Sequence, residues 1–429
     1  MGRISQLLAA NYFDKAVGQA CADFLKEKLE EGTYENIKHP RALARQLTSD
    51  LQVVHHDRHI RIQTIPPDVN QWEEENPLLA FFLHTHERIK ENLGFWEVKI
   101  LSGNVGYLDL RLFEPLDLVC AKALNALHFL ENTDALIIDL RQNRGGNPAT
   151  VQFLCSWFFD RLVHLNSTYW RRGDYTEEFW TIKNMGIKKR PEVPLFILIG
   201  PKTFSGGEEF AYNLKVQKRA TLIGEKTAGG ANPGYSFTIN DRFNIFIPTG
   251  HSVNPITGTN WEGVGVAPDI PVKAADALSV AMIKAAQAAR IYREKSDHDI
   301  VESYMDLSAG LDTVFTLFSE NRNDSAESCL ASVLAGKVES DLIGEWMINA
   351  LGYRYLSQKN FPMAIALLKF NRRCYPESAN AYDSLAEAYL NNAQREEAIK
   401  NYTISLSLNP QNQNAIRMLD QLADHAGKE

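Results

Sequence analysis

The chain has 429 residues, 45 of them basic and 53 acidic; the net charge of −8 argues against nucleic acid as a partner. Hydrophobic residues make up 45% of it, enough for well-buried cores, and the length predicts two or three domains. Its longest apolar runs, such as LFILI at 195–199, are too short to span a bilayer.

Residues 1–95 are predicted to form an N-terminal helical subdomain. ISQLLAANYFDKAVGQACADFLKEKLEEG carries apolar residues at helical spacing and stops at Gly32; PRALARQLTSDLQVV and LLAFFLHTHERIKENLG supply two further helices. The start of the chain reads as a charged amphipathic helix and not as a secretory signal. Gly2 lacks the hydroxyl residue at position 6 that a myristoylation motif wants. The expected compartment is therefore open: cytoplasmic, or periplasmic or secreted where an export signal has been removed. Five scattered cysteines (Cys21, Cys120, Cys155, Cys329, Cys374) suggest free thiols, with neither a disulfide framework nor a zinc spacing.

Residues 96–295 alternate β-rich runs (WEVKILS, NVGYLDLRLF, ALIIDLRQN, LFILIG, ATLIGEK, YSFTIN, FNIFIPTG) with helical stretches such as LDLVCAKALNALHFLEN and ATVQFLCSWFFDRLV. That is an α/β pattern, with buried parallel strands in IIDL and FILI. DIPV reads as a last strand and ALSVAMIKAAQAARIYREK as a closing helix. Residues 296–429 form a helical domain in which Leu351, Gly352, Tyr355, Ala364 and Pro376 recur, 34 residues on, as Leu385, Ala386, Tyr389, Ala398 and Pro410. The period and pattern are those of the tetratricopeptide repeat, with copies at about 345–378 and 379–412. Two repeats rarely stand alone, so helices from 299 to 343 are expected beneath them; a structural cap and a peptide-binding surface for a protein partner are both open.

Four segments carry candidate chemistry. IIDLRQNRGG (137–146) ends a buried strand in a glycine pair, and the amides of Gly145 and Gly146 suit an oxyanion, although a tight turn needs the same residues. PKTFSGGEEFAY (201–212) offers Ser205 as a nucleophile, with the Gly206 amide as a second oxyanion donor at a helix start. VVHHDRHIRI (53–62) holds three histidines; one, His59, opening a strand, is a candidate general base, while His55 and His56 read as surface or core residues. A metal site would want a further ligand at fixed spacing, so no metal or cofactor is expected. In NWEGVGVAPDIPV (260–272), Glu262 is either a solvated loop carboxylate or the group that orients a histidine.

Together and in this order, DLRQNRGG, TFSGGEEFAY, GEKTAGG and WEGVGVAPDI resemble the protease domain of the C-terminal-processing (tail-specific) peptidases, a wider family that includes the tricorn protease and the interphotoreceptor retinoid-binding protein repeats. LTSDLQVVHHDRHIRI is most similar to the bacterial retinoid-binding-protein-like branch. The resemblance covers about residues 3–290. It implies an α/β core of the ClpP/crotonase-like kind, an N-terminal helical subdomain, and a serine-type peptidase acting on a peptide or protein substrate. The lysine of the tail-specific serine–lysine scheme would fall on Gly230, and Lys226 is not its equivalent. The tricorn-like scheme instead matches Ser205, His59 and Glu262, with Arg58 where tricorn has a further serine. No PDZ domain is recognised between His59 and NVGYLDL. The rival reading on the same fold is a non-catalytic binding protein for a hydrophobic ligand or a protein partner, with FLCSWFFD and STYWRRGDYTEEFW lining a pocket.

Overall fold

The computed structural model describes residues 2–65 and 76–426. They divide into two compact units, Met1–Glu294 and Lys295–Glu429. The first opens with helices α1 (Gly2–Asn11), α2 (Lys15–Glu30) and α3 (Pro40–Val54), then β1 (Arg61–Thr64) and α4 (Pro77–Lys90). The single helix expected up to Gly32 is broken after Asn11, because the Asp14 carboxylate caps α2 by accepting the Ala16 and Val17 amides. That break buries Tyr12, which serves the site described below.

The α/β part follows as β2 (Phe95–Leu101), β3 (Val105–Leu110), α5 (Leu116–Leu130), β4 (Ala135–Asp139) and α6 (Pro148–Ser156). Next come β5 (His164–Trp170), β6 (Tyr175–Trp180), β7 (Leu195–Ile199), α7 (Gly206–Val216) and β8 (Thr221–Gly224). It ends with β9 (Gly234–Asn240), β10 (Phe243–Pro248), β11 (Gly250–Val253), β12 (Ile270–Pro271) and α8 (Ala277–Ser319), whose residues are shared between the two units.

Six strands form the central sheet in the order β12-β8-β7-β4-β3-β2, parallel throughout except for the antiparallel edge strand β2. The unbroken apolar runs of β4 and β7 follow from burial on both faces. Leu136 and Ile138 meet Leu127, Leu154 and Leu214 on one side. Ala135 and Ile137 meet Ala277, Ala281, Ala285 and Ala289 on the other, where small residues at every fourth position let the helix lie close to the sheet.

Two small antiparallel sheets, β1-β10-β9 and β11-β5-β6, complete the first unit. Strands β5, β6 and β11 were not expected. Their residues HLNSTYW, YTEEFW and GHSV lack a clean apolar alternation, and Phe179 is the sole buried residue of β6. Helix α6 is shorter than ATVQFLCSWFFDRLV suggests. Its last residue, Ser156, donates its hydroxyl to the Gln152 carbonyl and accepts the Ile182 amide, which turns the chain away.

The second unit adds α9 (Asn323–Glu339), α10 (Glu345–Ser357), α11 (Phe361–Cys374), α12 (Ala379–Asn391), α13 (Arg395–Leu408) and α14 (Gln413–Ala426). The starts of α10 and α12, and of α11 and α13, are each 34 residues apart. Lys359 and Ala393, at the same interval, both take positive φ (59° and 58°) where each pair turns. Leu307, Leu311, Leu330 and Leu334 share a core with Ile348, Met363 and Leu367, so helices preceding the first pair cover its apolar face.

Candidate active site

Ser205 stands between β7 and α7 with φ 52° and ψ −121°, a conformation that L-residues rarely hold and that exposes a side chain on a strand-to-helix elbow. Its surroundings over-determine it. The Phe204 amide donates to the Asn143 carbonyl, and the Ser205 amide donates to the Glu208 carboxylate at 2.9 Å. Glu208 also accepts from Thr227 Oγ1 (2.5 Å), Gly229 N (2.6 Å) and Gly230 N (2.8 Å), so one buried carboxylate ties the elbow to the 227–230 loop. Burial pushes it up to about 7, against the pull of those donors.

Gly145 and Gly146 adopt φ of 94° and 132°, and a methyl group on Gly145 would come 2.7 Å from Ser205 Cβ. Only glycine fits there. Gly145 donates its amide to Asn143 Oδ1 at 2.8 Å, so that group is already engaged. The amides of Gly146 and Gly206 have no internal acceptor among the described residues, and the two backbones are adjacent: a Cβ on Gly206 would lie 3.1 Å from Gly146 N. Of the sequence-derived donor candidates, Gly206 and Gly146 are thus the unengaged pair, with the positive end of α7 behind Gly206.

His59 precedes β1, whose pairing with β10 carries the imidazole beside Phe204 (ring centroids 4.6 Å) and Phe246 (5.8 Å). Burial and the neighbouring Arg61 push it down to about 3, leaving a neutral base across the physiological range. Asp57, two residues earlier and fully buried, accepts the His59 amide (2.9 Å), the Tyr12 hydroxyl (3.0 Å) and Asn232 Nδ2 (3.0 Å). Its Oδ1 lies 4.0 Å from His59 Nδ1, a buried atom with no hydrogen-bond partner.

Glu262 accepts the amides of Ala231 (2.6 Å), Asn232 (3.1 Å) and Arg58 (3.2 Å). Burial and the Asp57 charge push it up to about 7, and burial raises Asp57 as well. Donor atoms of Asp57, His59 and Glu262 lie within 4.8 Å of one another, so these side chains could in principle surround a cation. The carboxylates already receive six donors from the protein, however, which suits a site that holds an imidazole and its charge. No direct hydrogen bond joins the His59 imidazole to either carboxylate among the described residues.

Ser205, His59, Gly146 and Gly206 line one cleft of about 900 Å³, with Phe204, Phe246 and Trp261 in its walls. Glu262 lies beside it, behind Ala231. His55 meets the Tyr12 hydroxyl at 3.2 Å and His56 is exposed. At Gly230, where the tail-specific scheme would put lysine, a Cβ would meet the Phe204 ring at 2.2 Å and His59 Cε1 at 2.9 Å; Lys226 is exposed. Asp139 and Arg141, at the end of β4, pair at 2.6 Å, and Arg141 also donates to the Ala274 carbonyl. Sequence reasoning missed Asp57, Glu208 and Asn232. A signal was present for the first, an acidic residue two before the candidate base.

Loops gathered at the carboxyl ends of a parallel sheet, with a strained serine on one of them, are where an α/β fold places its ligands. Comparison with known proteins narrows this. Residues 104–272 match the model of peptidase family S41, and residues 1–92 match that of the N-terminal domain of peptidase S41 in eukaryotic IRBP. The chain belongs to peptidase family S41.

A carboxyl-terminal-processing protease of Synechocystis sp. is 30% identical over 169 residues, 39% of this chain and 37% of that protein. The chloroplastic carboxyl-terminal-processing peptidase 2 of Arabidopsis thaliana is 26% identical over 173 residues, 40% of this chain and 32% of its own. The matched region thus spans about a third of these curated relatives. Among solved structures, the photosystem II D1 C-terminal processing protease matches 63% of this chain and 92% of its own at 14% identity, TM-score 0.40. A lipoprotein from Streptococcus agalactiae matches 66% and 94% at 16% identity, TM-score 0.45. Structural likeness at these scores carries no argument of its own.

Proposed function

We propose that this chain is a serine-type peptidase with a tricorn-like catalytic set: Ser205 as nucleophile, His59 as general base, and Glu262 orienting the imidazole and balancing its charge. The observation that carries the reading is the strained Ser205 elbow beside two unengaged amides, in the cleft that a buried neutral imidazole also lines. His59 takes the Ser205 hydroxyl proton as Oγ attacks a peptide carbonyl. Negative charge develops on the carbonyl oxygen and is held by the Gly206 and Gly146 amides, each such donor typically worth about 10²–10³ in turnover. The imidazolium then gives its proton to the departing amine. Water, deprotonated by the same imidazole, releases the acyl group and restores the hydroxyl. We read the C-terminal helix pairs as tetratricopeptide repeats, a surface for a protein partner.

Ser205→Ala is expected to lower peptide hydrolysis by roughly 10⁶ with little change in melting temperature. A serine-directed phosphonate should label the wild-type protein at Ser205 and nowhere else. Undiminished hydrolysis by the alanine variant would defeat the proposal. Absence of labelling together with saturable binding of apolar ligands would favour a non-catalytic binding protein.

A further inference from the structure

Glu209 has no part in the mechanism above, yet it sits one helical turn along α7 from Ser205, on the same face of the helix. It is only 8% exposed and still lines the cleft that Ser205 lines. Its neighbour Glu208 shows what a structural carboxylate looks like here, with four donors between 2.5 and 2.9 Å. Glu209 has one recorded hydrogen bond, from Asn166 Nδ2, at 3.3 Å. Asn213 helps to hold its charge, but the Asn213 Nδ2 and Asn166 Oδ1 atoms make no hydrogen bond. No ion pair reaches Glu209 among the described residues. A buried carboxyl so poorly supplied is costly unless something else brings a donor to it, and burial accordingly pushes it up to about 7.

The space above it is built for a long side chain with a polar tip. Thr168 and Ser252, both buried, line the same cleft, and Phe179 and Trp261 offer apolar walls for an alkyl stem. Along the axis of α7 the two residues stand about one helical turn apart, ~5.4 Å, a rise that a lysine or arginine stem can span. Arg61 and Arg144 also line the cleft with charge opposite to that of Glu209, and Glu177 lines it with charge of the same sign; all three are exposed, so solvent screens them far more than the buried floor.

We propose that Glu209 floors the pocket for the residue preceding the scissile bond, and that this pocket takes a lysine or arginine side chain, so that cleavage falls on its carboxyl side. The proposal rests on the serine-peptidase reading above and adds the substrate class. An added cation pairs with the carboxylate and fills the donor deficit left by Asn166 and Asn213.

The test uses the full chain and five diphenyl phosphonates bearing lysyl, arginyl, leucyl, alanyl and glutamyl side chains, with labelling rates at Ser205 read by intact mass. The lysyl or arginyl probe should react about tenfold or more faster than the leucyl probe. Glu209→Gln should collapse that ratio while changing the leucyl rate by less than about threefold, which a merely structural role would not do. Glu209→Asp, which keeps the charge, should retain a basic preference, and it serves if the glutamine variant fails to fold. Labelling of Ser205 with no basic preference, or a ratio untouched by both variants, overturns this proposal and leaves the peptidase reading standing. Failure of every probe to label Ser205 overturns both.

Discussion

At the scale of single residues, the proposed mechanism asks an imidazole to stay uncharged until it is needed. His59 is buried against Phe204 and Phe246, so its charged form is disfavoured in the resting enzyme. In that mechanism proton transfer from Ser205 would create the charge, and Asp57 and Glu262 are the carboxylates near enough to balance it. Glu262 is held up to about 7, so it must lose its proton before it can help. We therefore expect kcat/KM to rise with pH through about 7, on a limb that belongs to the free enzyme. Glu262→Gln should lower kcat/KM by about a hundredfold or more and abolish that limb, since the amide cannot ionise. Initial rates on one peptide from pH 5 to 9 decide it; an unchanged limb in the glutamine variant would remove Glu262 from the mechanism.

At the scale of elements, the elbow and the 227–230 loop are one device, joined through Glu208. Glu208→Gln keeps the shape but replaces one acceptor oxygen with a donor, so at least one of the four donors it satisfies is left facing another N–H. We expect a loss of about 1–3 kcal/mol in stability and a fall in kcat larger than any change in KM, because the nucleophile loses its fixed position. Denaturant midpoints and steady-state kinetics on the variant check both, and unaltered kcat would show that the elbow holds itself. Ser205, His59 and Glu262 could be picked out as candidates because serine between an aromatic and two glycines, an imidazole before a strand, and a carboxylate in a glycine-rich loop each have a recognisable local form. Glu208 and Asn232 could not, and Asp57 only through its place two residues before His59, because their roles arise from burial and pairing across as many as 175 residues. The same holds for the elements. The strands of the parallel sheet announce themselves as apolar runs, whereas β5 and β6 form a mostly polar hairpin on which the distant β11 pairs through β5.

At the scale of the molecule, several buried ionisable groups of the first unit act on stability in opposed directions. Glu208, Glu209 and Glu262 are raised to about 7, and Asp57 is raised too. Between about pH 4 and 7 the folded chain keeps protons that an unfolded carboxylate has lost, so this contribution is complete at low pH and disappears as pH climbs. His59 is lowered to about 3, so its contribution is present above about 6.5 and is lost as pH falls. Burial lowers His251 in the same direction, but the four raised carboxyls outnumber the two imidazoles, and the melting temperature of the first unit should therefore fall from pH 5 to 7.5. Glu209→Gln should make that fall shallower; calorimetry at four or five pH values would reveal a flat or rising profile if the buried carboxyls were in fact ionised throughout.

The crowding at Gly230 bears on how such a site could change over generations. Since any side chain there strikes both the Phe204 ring and the His59 ring, a lysine at this point and an imidazole in its present seat exclude one another by volume. Were His59 the proton acceptor, as proposed, a lysine placed at Gly230 would displace it. The two outfits are separated by a gap that only paired changes, or a shift of the whole loop, can bridge.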